Sequence, residues 1–414
     1  MKVFKFGGTS IRNAKAIENV TSIIQSQREE KLLIVVSAMG STTDALEQIV
    51  SIAQSGKNIT PQIDKLVHYH LQVMRELFPE RHPIYAEFEK VSEQLQSEAV
   101  RQGDFDQIYD QVVSLGEVMS TKILSYYLNL KGLPVQWIDA RQYLRTDRTF
   151  REGRINWEET AKKIQPLGKI LSEKIILTQG FLGSTQDGLT TTLGREGSDY
   201  SAAIFASCLN ADSVTIWKDV PGVMNADPKR LPSASVFEEL PFKEAAEMTY
   251  YGAAIIHPKT IKPLANKSIP LRVKSFVDPS LPGTVIHECK IARLLPLIVF
   301  KENQCLISCQ VTDYSFINEH QIGIILQTLS EHNLKINVMQ NSAISFSFCV
   351  DFRENKILKL IDHLGKHFEV FYNTGLTLIT VKNYDSALYQ EYRNQKGVIL
   401  EQSSRSTLQV LVKS

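Results

Sequence analysis

Apolar blocks separated by small polar turns set the rhythm of the N-terminal stretch. Val3 to Phe6 read as a strand that breaks at Gly7-Gly8-Thr9-Ser10. Ile17, Val20, Ile23 and Ile24 then mark one helix face, and Leu32 to Val36, LLIVV, is a fully apolar strand. This β-loop-α-β order predicts the start of a parallel α/β sheet. A helix with Leu46, Ile49, Val50 and Ala53 inward follows, and Thr60 to Leu130 is helical in pattern, ending in one long amphipathic helix from about Phe105 to Leu130. Val135 to Asp139, Ile175 to Thr178 and Val214 to Trp217 read as further strands, with helices predicted over Asn156 to Leu171, Phe242 to Gly252 and within Ala254 to Lys267. From Leu295 the texture shortens. Strands are predicted at Leu297 to Phe300, Cys305 to Val311, Lys335 to Met339, Ile344 to Asp351, Val370 to Tyr372 and Leu376 to Val381. Helices fall at about Glu319 to His332 and Lys356 to Phe368, and then come a helix from Asp385 to Asn394 and a hairpin, Gly397 to Glu401 with Thr407 to Val412.

The chain has 414 residues, which predicts two or three domains. Lys plus Arg is 46 against 45 for Asp plus Glu, so the balance of charge invites neither nucleic acid nor an anionic membrane. Small molecules, or copies of the chain itself, are the expected partners. Cys208, Cys289, Cys305, Cys309 and Cys349 are odd in number, contain no CxxC pair and sit among apolar neighbours, the pattern of reduced structural thiols and not of a zinc site or a disulfide framework. MKVFKF reads as a strand and not as a signal peptide, and no apolar run approaches the roughly 20 residues of a membrane helix. A cytoplasmic protein is expected. His68 and His70 would face different sides of a helix and make no metal pair.

Candidate chemistry concentrates in Thr190 to Tyr200, TTTLGREGSDY, which reads as a loop feeding a helix with Ser198 and Asp199 suited to its N-terminus. Capping is the ordinary use of those two residues. Arg195, in a loop with Gly194 and Gly197, suits a bidentate grip on a carboxylate or phosphate. KFGGTS lacks the spacing of a Walker loop, yet Gly7 and Gly8 let backbone N–H groups approach phosphate oxygens beside the Lys5 charge. Ser37 to Asp44 is a second small, hydroxyl-rich turn at the C-terminal end of a strand, where open parallel sheets bind ligands. Glu117 stands between Gly116 and Ser120, which would let something approach that face closely. Lys218 to Lys229 makes a polar loop fit to cradle a nucleotide.

Taken in order, KFGGTS at Lys5, SAMGSTTD at Ser37, SLGEVMST at Ser114, TTLGREGSDYSAA at Thr191, WKDVPGVMNADPK at Trp217 and GAAIIHPKT at Gly252 resemble the aspartokinases. The resemblance runs over about the first 285 residues, and the remainder is similar to that family's regulatory tail. It implies an α/β amino-acid-kinase fold, a three-layer αβα sandwich with a mostly parallel sheet, over residues 1–287. Residues 288–414 would form an α+β, ferredoxin-like ACT region, with one full unit at about 303–382 and a shortened second unit that is incomplete unless it borrows the strands at Leu297 to Val311. It also implies transfer of the ATP γ-phosphoryl group to the side-chain carboxylate of L-aspartate, with Mg²⁺.

On that resemblance, Lys5 would stabilise charge on the transferring phosphoryl group with the N–H donors of Gly7 and Gly8 in a loop that includes Thr9 and Ser10, and Asp199 would orient Lys5 or the metal-phosphate unit. Arg195 would clamp the substrate α-carboxylate, Glu117 would pair with its α-ammonium, and Ser37, Thr43 and Ser198 would add neutral hydrogen bonds. Asp219, Asn225, Asp227, Pro228 and Lys229 would hold ATP. Three positions depart from the family pattern. Glu196 stands where the loop usually has a glycine, Lys218 where threonine is common, and Ala254 where a nucleotide-contacting lysine is common, so Lys218 or Lys259 would supply the missing charge. The effector site would face the helix start near Gly323 and the strand Lys335 to Ser342. Lysine-sensing relatives carry acidic groups where this chain has Asn337 and Ala343, so a neutral effector such as threonine, or none, is expected. Open sheet edges predict a homodimer or higher homo-oligomer through this region. No fused homoserine dehydrogenase is expected. Two other readings are an amino-acid kinase for a different acceptor, against which Glu117 argues, and a non-catalytic amino-acid sensor, against which Lys5, Arg195 and Asp199 argue.

Overall fold

The computed structural model describes residues 1–253, 256–291, 294–313 and 315–413. Ala254, one of the departures from the family pattern, lies outside the described residues. The chain divides into two compact units, Met1–Val223 with 236–246 and 254–291, and Met224–Ser235 with 247–253 and 292–414.

In the first unit, in chain order, β1 (Lys2–Phe6), α1 (Ala14–Gln25), β2 (Leu32–Val36), α2 (Thr42–Gln54), α3 (Thr60–Leu77), α4 (Ile84–Ala99), α5 (Phe105–Val113) and α6 (Leu115–Leu130) lead to β3 (Val135–Ile138), α7 (Trp157–Ile164), α8 (Leu167–Ile170) and β4 (Ile175–Gln179). Then come β5 (Leu182–Ser184), β6 (Thr190–Thr192), α9 (Gly197–Leu209), β7 (Ser213–Lys218), β8 (Glu239–Pro241), α10 (Phe242–Tyr250), α11 (Pro258–Ala265), β9 (Leu271–Ser275) and β10 (Thr284–His287). The unit boundary crosses α10. An eight-stranded sheet runs β3-β4-β2-β1-β7-β9-β10-β8, and only the β9–β10 pairing is antiparallel. All five residues of β2 are buried, as expected of a parallel strand covered on both faces. Phe4, Phe6, Leu32, Ile34 and Val36 share one core with residues of α1 to α6. Leu33 and Val35, also fully buried, turn to the opposite face, and α9 packs along β1, β2 and β7.

Three expectations are corrected in this unit. The single helix over Phe105 to Leu130 is two helices: at Ser114 the hydroxyl turns back to Gln111 O at 2.8 Å, and the bonds carrying the ladder across it stretch to 3.3 Å and 3.4 Å. The helix over Asn156 to Leu171 breaks before Pro166, which has no N–H to continue it. The start of the Thr190 to Tyr200 stretch is a strand, since Thr190–Thr192 pairs with Leu182–Ser184.

In the second unit, β11 (Leu297–Gln310), α12 (Glu319–Glu331), β12 (Ile336–Asn341), β13 (Ser345–Asp351), α13 (Glu354–Leu364), β14 (Glu369–Lys382), α14 (Ser386–Arg393), β15 (Val398–Ser403) and β16 (Thr407–Lys413) form an antiparallel sheet ordered β12-β13-β11-β14-β16-β15 with its helices. β11 and β14 each replace two predicted short strands. Their mutual register slips between Lys301 and Leu306, where Asn303 has φ 55°. The far half of β11 joins β12, β13, α12 and α13 around Ile307, Phe348 and Leu360, whereas the near half, with Ile298, joins β14, β16 and α14 around Val381, Tyr392 and Val410.

Candidate active site

The C-terminal ends of β1, β2, β4 and β7 lie side by side in the first unit, and the chemistry gathers at that edge. Lys5, one residue before the end of β1, places Nζ 2.8 Å from Asp199 Oδ1 in the first turn of α9. The Lys5 side chain is 12% exposed and that of Asp199 is 4% exposed, so the pair is largely removed from water. The contact lacks the alignment of a hydrogen bond, which leaves Oδ1 able to accept one. Lys218 Nζ, at the end of β7, stands 3.9 Å from Asp199 Oδ2. One buried carboxylate thus holds two ammonium groups at one sheet edge.

The glycines explain how the backbone gets there. A Cβ at Gly7 would touch Lys5 Nζ at 3.4 Å, so the bare turn lies against the ammonium. At Gly8 it would come within 2.6 Å of Ala38 O and 2.9 Å of Gly40 O, and Gly40 N–H donates to Gly8 O at 3.1 Å. The KFGGTS and SAMG turns are therefore locked together through Gly8. Thr9 is exposed, whereas Ser10 is buried and spends its hydroxyl on Gly7 O at 2.6 Å. A Cβ at Gly180 would meet Ser198 Cβ at 2.4 Å, so only glycine after β4 lets the start of α9 approach.

Glu117 lies in the first turn of α6 and is 3% exposed. Burial pushes its carboxyl up to about 8, opposed by a hydrogen bond from Ala38 N–H and by the Lys5 charge. Its Oε2 has no hydrogen-bond partner. The small neighbours of Glu117 are used by the chain itself: a Cβ at Gly116 would crowd Thr42 and Ala38 at 3.0 Å and 3.1 Å, and the Ser120 hydroxyl donates to Ser37 O at 2.8 Å. Ser37 is thereby tied to α6, and Ser37 and Thr43 are both half-buried.

Glu196 precedes α9 with φ 54° and ψ 27°, the left-handed conformation that favours glycine, and makes no side-chain cap. Its carboxylate instead accepts the His257 N–H at 2.7 Å, at the start of α11. Ser198 and Asp199 consequently lie inside the first helical turn and do not cap it. Arg195 is exposed, with no ion pair among the described residues. Lys259 is exposed in the first turn of α11, and Asp219 is exposed after β7. Asn225, Asp227, Pro228 and Lys229 belong to the second unit. There the Asn225 amide donates to Pro296 O at 3.0 Å and accepts from Ser235 N–H at 2.7 Å, while Asp227 takes the Lys229 N–H at 2.9 Å. Also in that unit, Asn337 donates to Gln304 and Asp351 and accepts from Lys301, Gly323 is exposed on α12, and Ser342 is exposed after β12.

Sequence reasoning missed Asp110. Wholly buried on α5, it accepts the N–H groups of Arg151 and Thr192, each at 2.9 Å, and the Thr192 hydroxyl at 2.7 Å, which anchors the strand leading to Arg195. Burial raises its carboxyl to about 6. Its helix spacing gave no signal, because Asp106, Gln107 and Ser114 share its face with Val113, as around a solvated carboxylate.

A lysine-carboxylate pair beside a glycine turn and a helix start, at the ligand-binding edge of a parallel sheet, is equipment for moving a phosphoryl group between anions. The amino acid kinase family profile matches residues 1–275. Lysine-sensitive aspartokinase 3 of Escherichia coli is 32% identical over 359 residues, covering 84% of this chain and 78% of that protein. The crystal structure of E. coli aspartokinase III in complex with aspartate and ADP superposes with a TM-score of 0.85 at 28% identity, covering 100% of this chain and 96% of that one. The same enzyme in complex with lysine and aspartate gives 0.83 at 27%, with the same coverage. The chain belongs to the amino acid kinase family and, within it, to the aspartokinases. Among the described residues, no helix is long and apolar enough to cross a membrane.

Proposed function

We propose that this chain transfers the γ-phosphoryl group of ATP to the side-chain carboxylate of L-aspartate, giving 4-phospho-L-aspartate and ADP, within residues 1–287, with 288–414 regulatory. The observation that carries this reading is the buried Lys5–Asp199 pair at the sheet edge beside Glu117. A carboxylate acceptor is already ionised at neutral pH, so no general base is required. The barrier is the approach of two anions, and fixed positive charge with exact placement lowers it. Lys5 neutralises charge growing on the transferring group, and Asp199 holds the ammonium in place. Glu117 receives the substrate α-ammonium and Arg195 its α-carboxylate, an arrangement that disfavours an N-acetylated or nucleotide acceptor.

Mg²⁺ fits this donor set as an ion carried mainly by the phosphates, with Asp199 the carboxylate at the Lys5 edge able to join it. Once bound it offsets phosphate charge. Lys218 and Lys259 supply further positive charge toward the nucleotide, and Lys218→Ala should raise the KM for ATP, whereas an unchanged KM removes that role. In the regulatory region, Asn337 is neutral and already engaged by Gln304, Asp351 and Lys301, which favours a neutral effector, or none, over lysine. The edge strands β12 and β15 support a homodimer through this region. Light scattering at micromolar concentration should give the dimer mass, and a monomer would count against it. The reaction itself is tested by ADP release with Mg-ATP and a panel of acceptors. Turnover should need L-aspartate, and turnover with N-acetylglutamate or a nucleoside monophosphate in its place would reject the reading.

A further inference from the structure

Away from the Lys5 edge, at the far end of the large sheet, β8 and β10 run parallel with Val285 opposite Glu239 and His287 opposite Pro241. Glu239, His287 and Cys289 converge there, with one ligand atom from each lying within 4.8 Å of the others. His287 Nε2 is 3.7 Å from Glu239 Oε1, is buried and has no hydrogen-bond partner. An imidazole nitrogen withdrawn from water without a partner loses free energy unless something else takes its lone pair. The neighbouring thiol and carboxylate are both metal ligands.

We infer that Glu239, His287 and Cys289 form a binding site for a divalent transition metal ion of the zinc class, joining β8 to β10. Bonds of about 2.0–2.3 Å in a tetrahedron place ligand atoms roughly 3.3–3.8 Å apart. The imidazole and carboxylate already stand at that spacing. The Glu239 side chain is 57% exposed and free to adjust, and the fourth position falls to water. A thiolate with an imidazole selects Zn²⁺ or a similar borderline ion over Mg²⁺, which prefers oxygen. The site therefore does not compete for the magnesium of the kinase reaction. His287 binds through neutral Nε2 with its proton on Nδ1, and the Cys289 thiol gives its proton to solvent as the sulfur–metal bond forms. The Cys spacing concealed this site because its other two ligands come from strands far apart in sequence.

The test is a Co²⁺ titration of the metal-free full-length chain, read by absorbance. One Co²⁺ per chain should bind with a thiolate-to-cobalt charge-transfer band, and Zn²⁺ but not Mg²⁺ should displace it. Cys289→Ser should abolish the band, Cys208→Ser should leave it, and His287→Ala should weaken binding at least about tenfold. As a second measurement that needs no variant, Zn²⁺ should protect Cys289 of the unaltered protein from alkylation by iodoacetamide. The absence of a charge-transfer band, its persistence in Cys289→Ser, or unprotected alkylation at saturating Zn²⁺ would overturn the site.

Discussion

Replacing Glu117 by Gln keeps the shape of the side chain and removes its ionisation. With its carboxyl raised to about 8, Glu117 is mostly protonated at pH 7 in the free enzyme. Roughly one molecule in ten then carries the anion that receives an α-ammonium, a cost of about 1.4 kcal/mol. For the unaltered enzyme, kcat/KM for L-aspartate should rise about ninefold from pH 6 to 7, about fivefold more to pH 8, and level above it. Glu117→Gln should flatten that profile and lower kcat/KM by ~30-fold or more, as truncating one partner of a buried charge pair costs about 2–5 kcal/mol. The KM for ATP should barely move. Stability should change in the opposite sense. Below the ordinary value of 4.5 both folded and unfolded chains hold the proton, and no penalty exists. Between 4.5 and 8 the folded chain keeps a proton that the unfolded chain releases, so stability falls as pH rises, by about 1.4 kcal/mol per pH unit. The penalty at pH 7 is on the order of 3 kcal/mol, and the glutamine variant does not bear it. Steady-state kinetics across pH, with denaturant midpoints at pH 5 and 8, measure both effects. A flat kcat/KM profile in the unaltered enzyme, or a glutamine variant within threefold of it at pH 8, would refute the reasoning.

Lys5→Ala should lower kcat about 100- to 1,000-fold while leaving the buried Asp199 with only the more distant Lys218, and the double variant Lys5→Ala/Asp199→Asn should regain stability but not activity by denaturant titration. At Glu196 both Glu196→Ala and Glu196→Gly lose the acceptor for the His257 N–H, but only alanine keeps the left-handed strain, so Glu196→Ala should be less stable than Glu196→Gly by about 1 kcal/mol. Gly180→Ala forces Ser198 away and should reduce kcat/KM by about 100-fold with a soluble product, whereas Gly168→Ala, where a Cβ meets nothing within 4 Å, should leave kcat/KM unchanged.

The repeating β-α pattern was legible because each strand and helix stamps its period on its own residues: LLIVV is buried throughout, and Ile17, Val20 and Ile24 face one core. The breaks were less legible. Ser114 interrupts a helix with a single hydroxyl, and β11 continues through the irregularity at Asn303 because β14 pairs with it on both sides, with β13 joining only from Gln304 onward. Lys5, Glu117 and Asp199 stood out through ordered motifs, but the Glu196–His257 bond, the Asp110 anchor and the Glu239–His287–Cys289 cluster join residues with no local signature. Asn225 to Lys229 looked continuous with β7 in sequence, yet packing assigns them to the second unit. Local pattern shows elements, whereas long-range hydrogen bonds decide which element a loop serves.

The most direct test of the proposed reaction is chemical capture of its product. With Mg-ATP, L-aspartate and hydroxylamine, the enzyme should form aspartyl hydroxamate in step with ADP, and Lys5→Ala should suppress both together. ADP released without hydroxamate, or hydroxamate yield unaffected by Lys5→Ala, would contradict transfer to the aspartate carboxylate at this site.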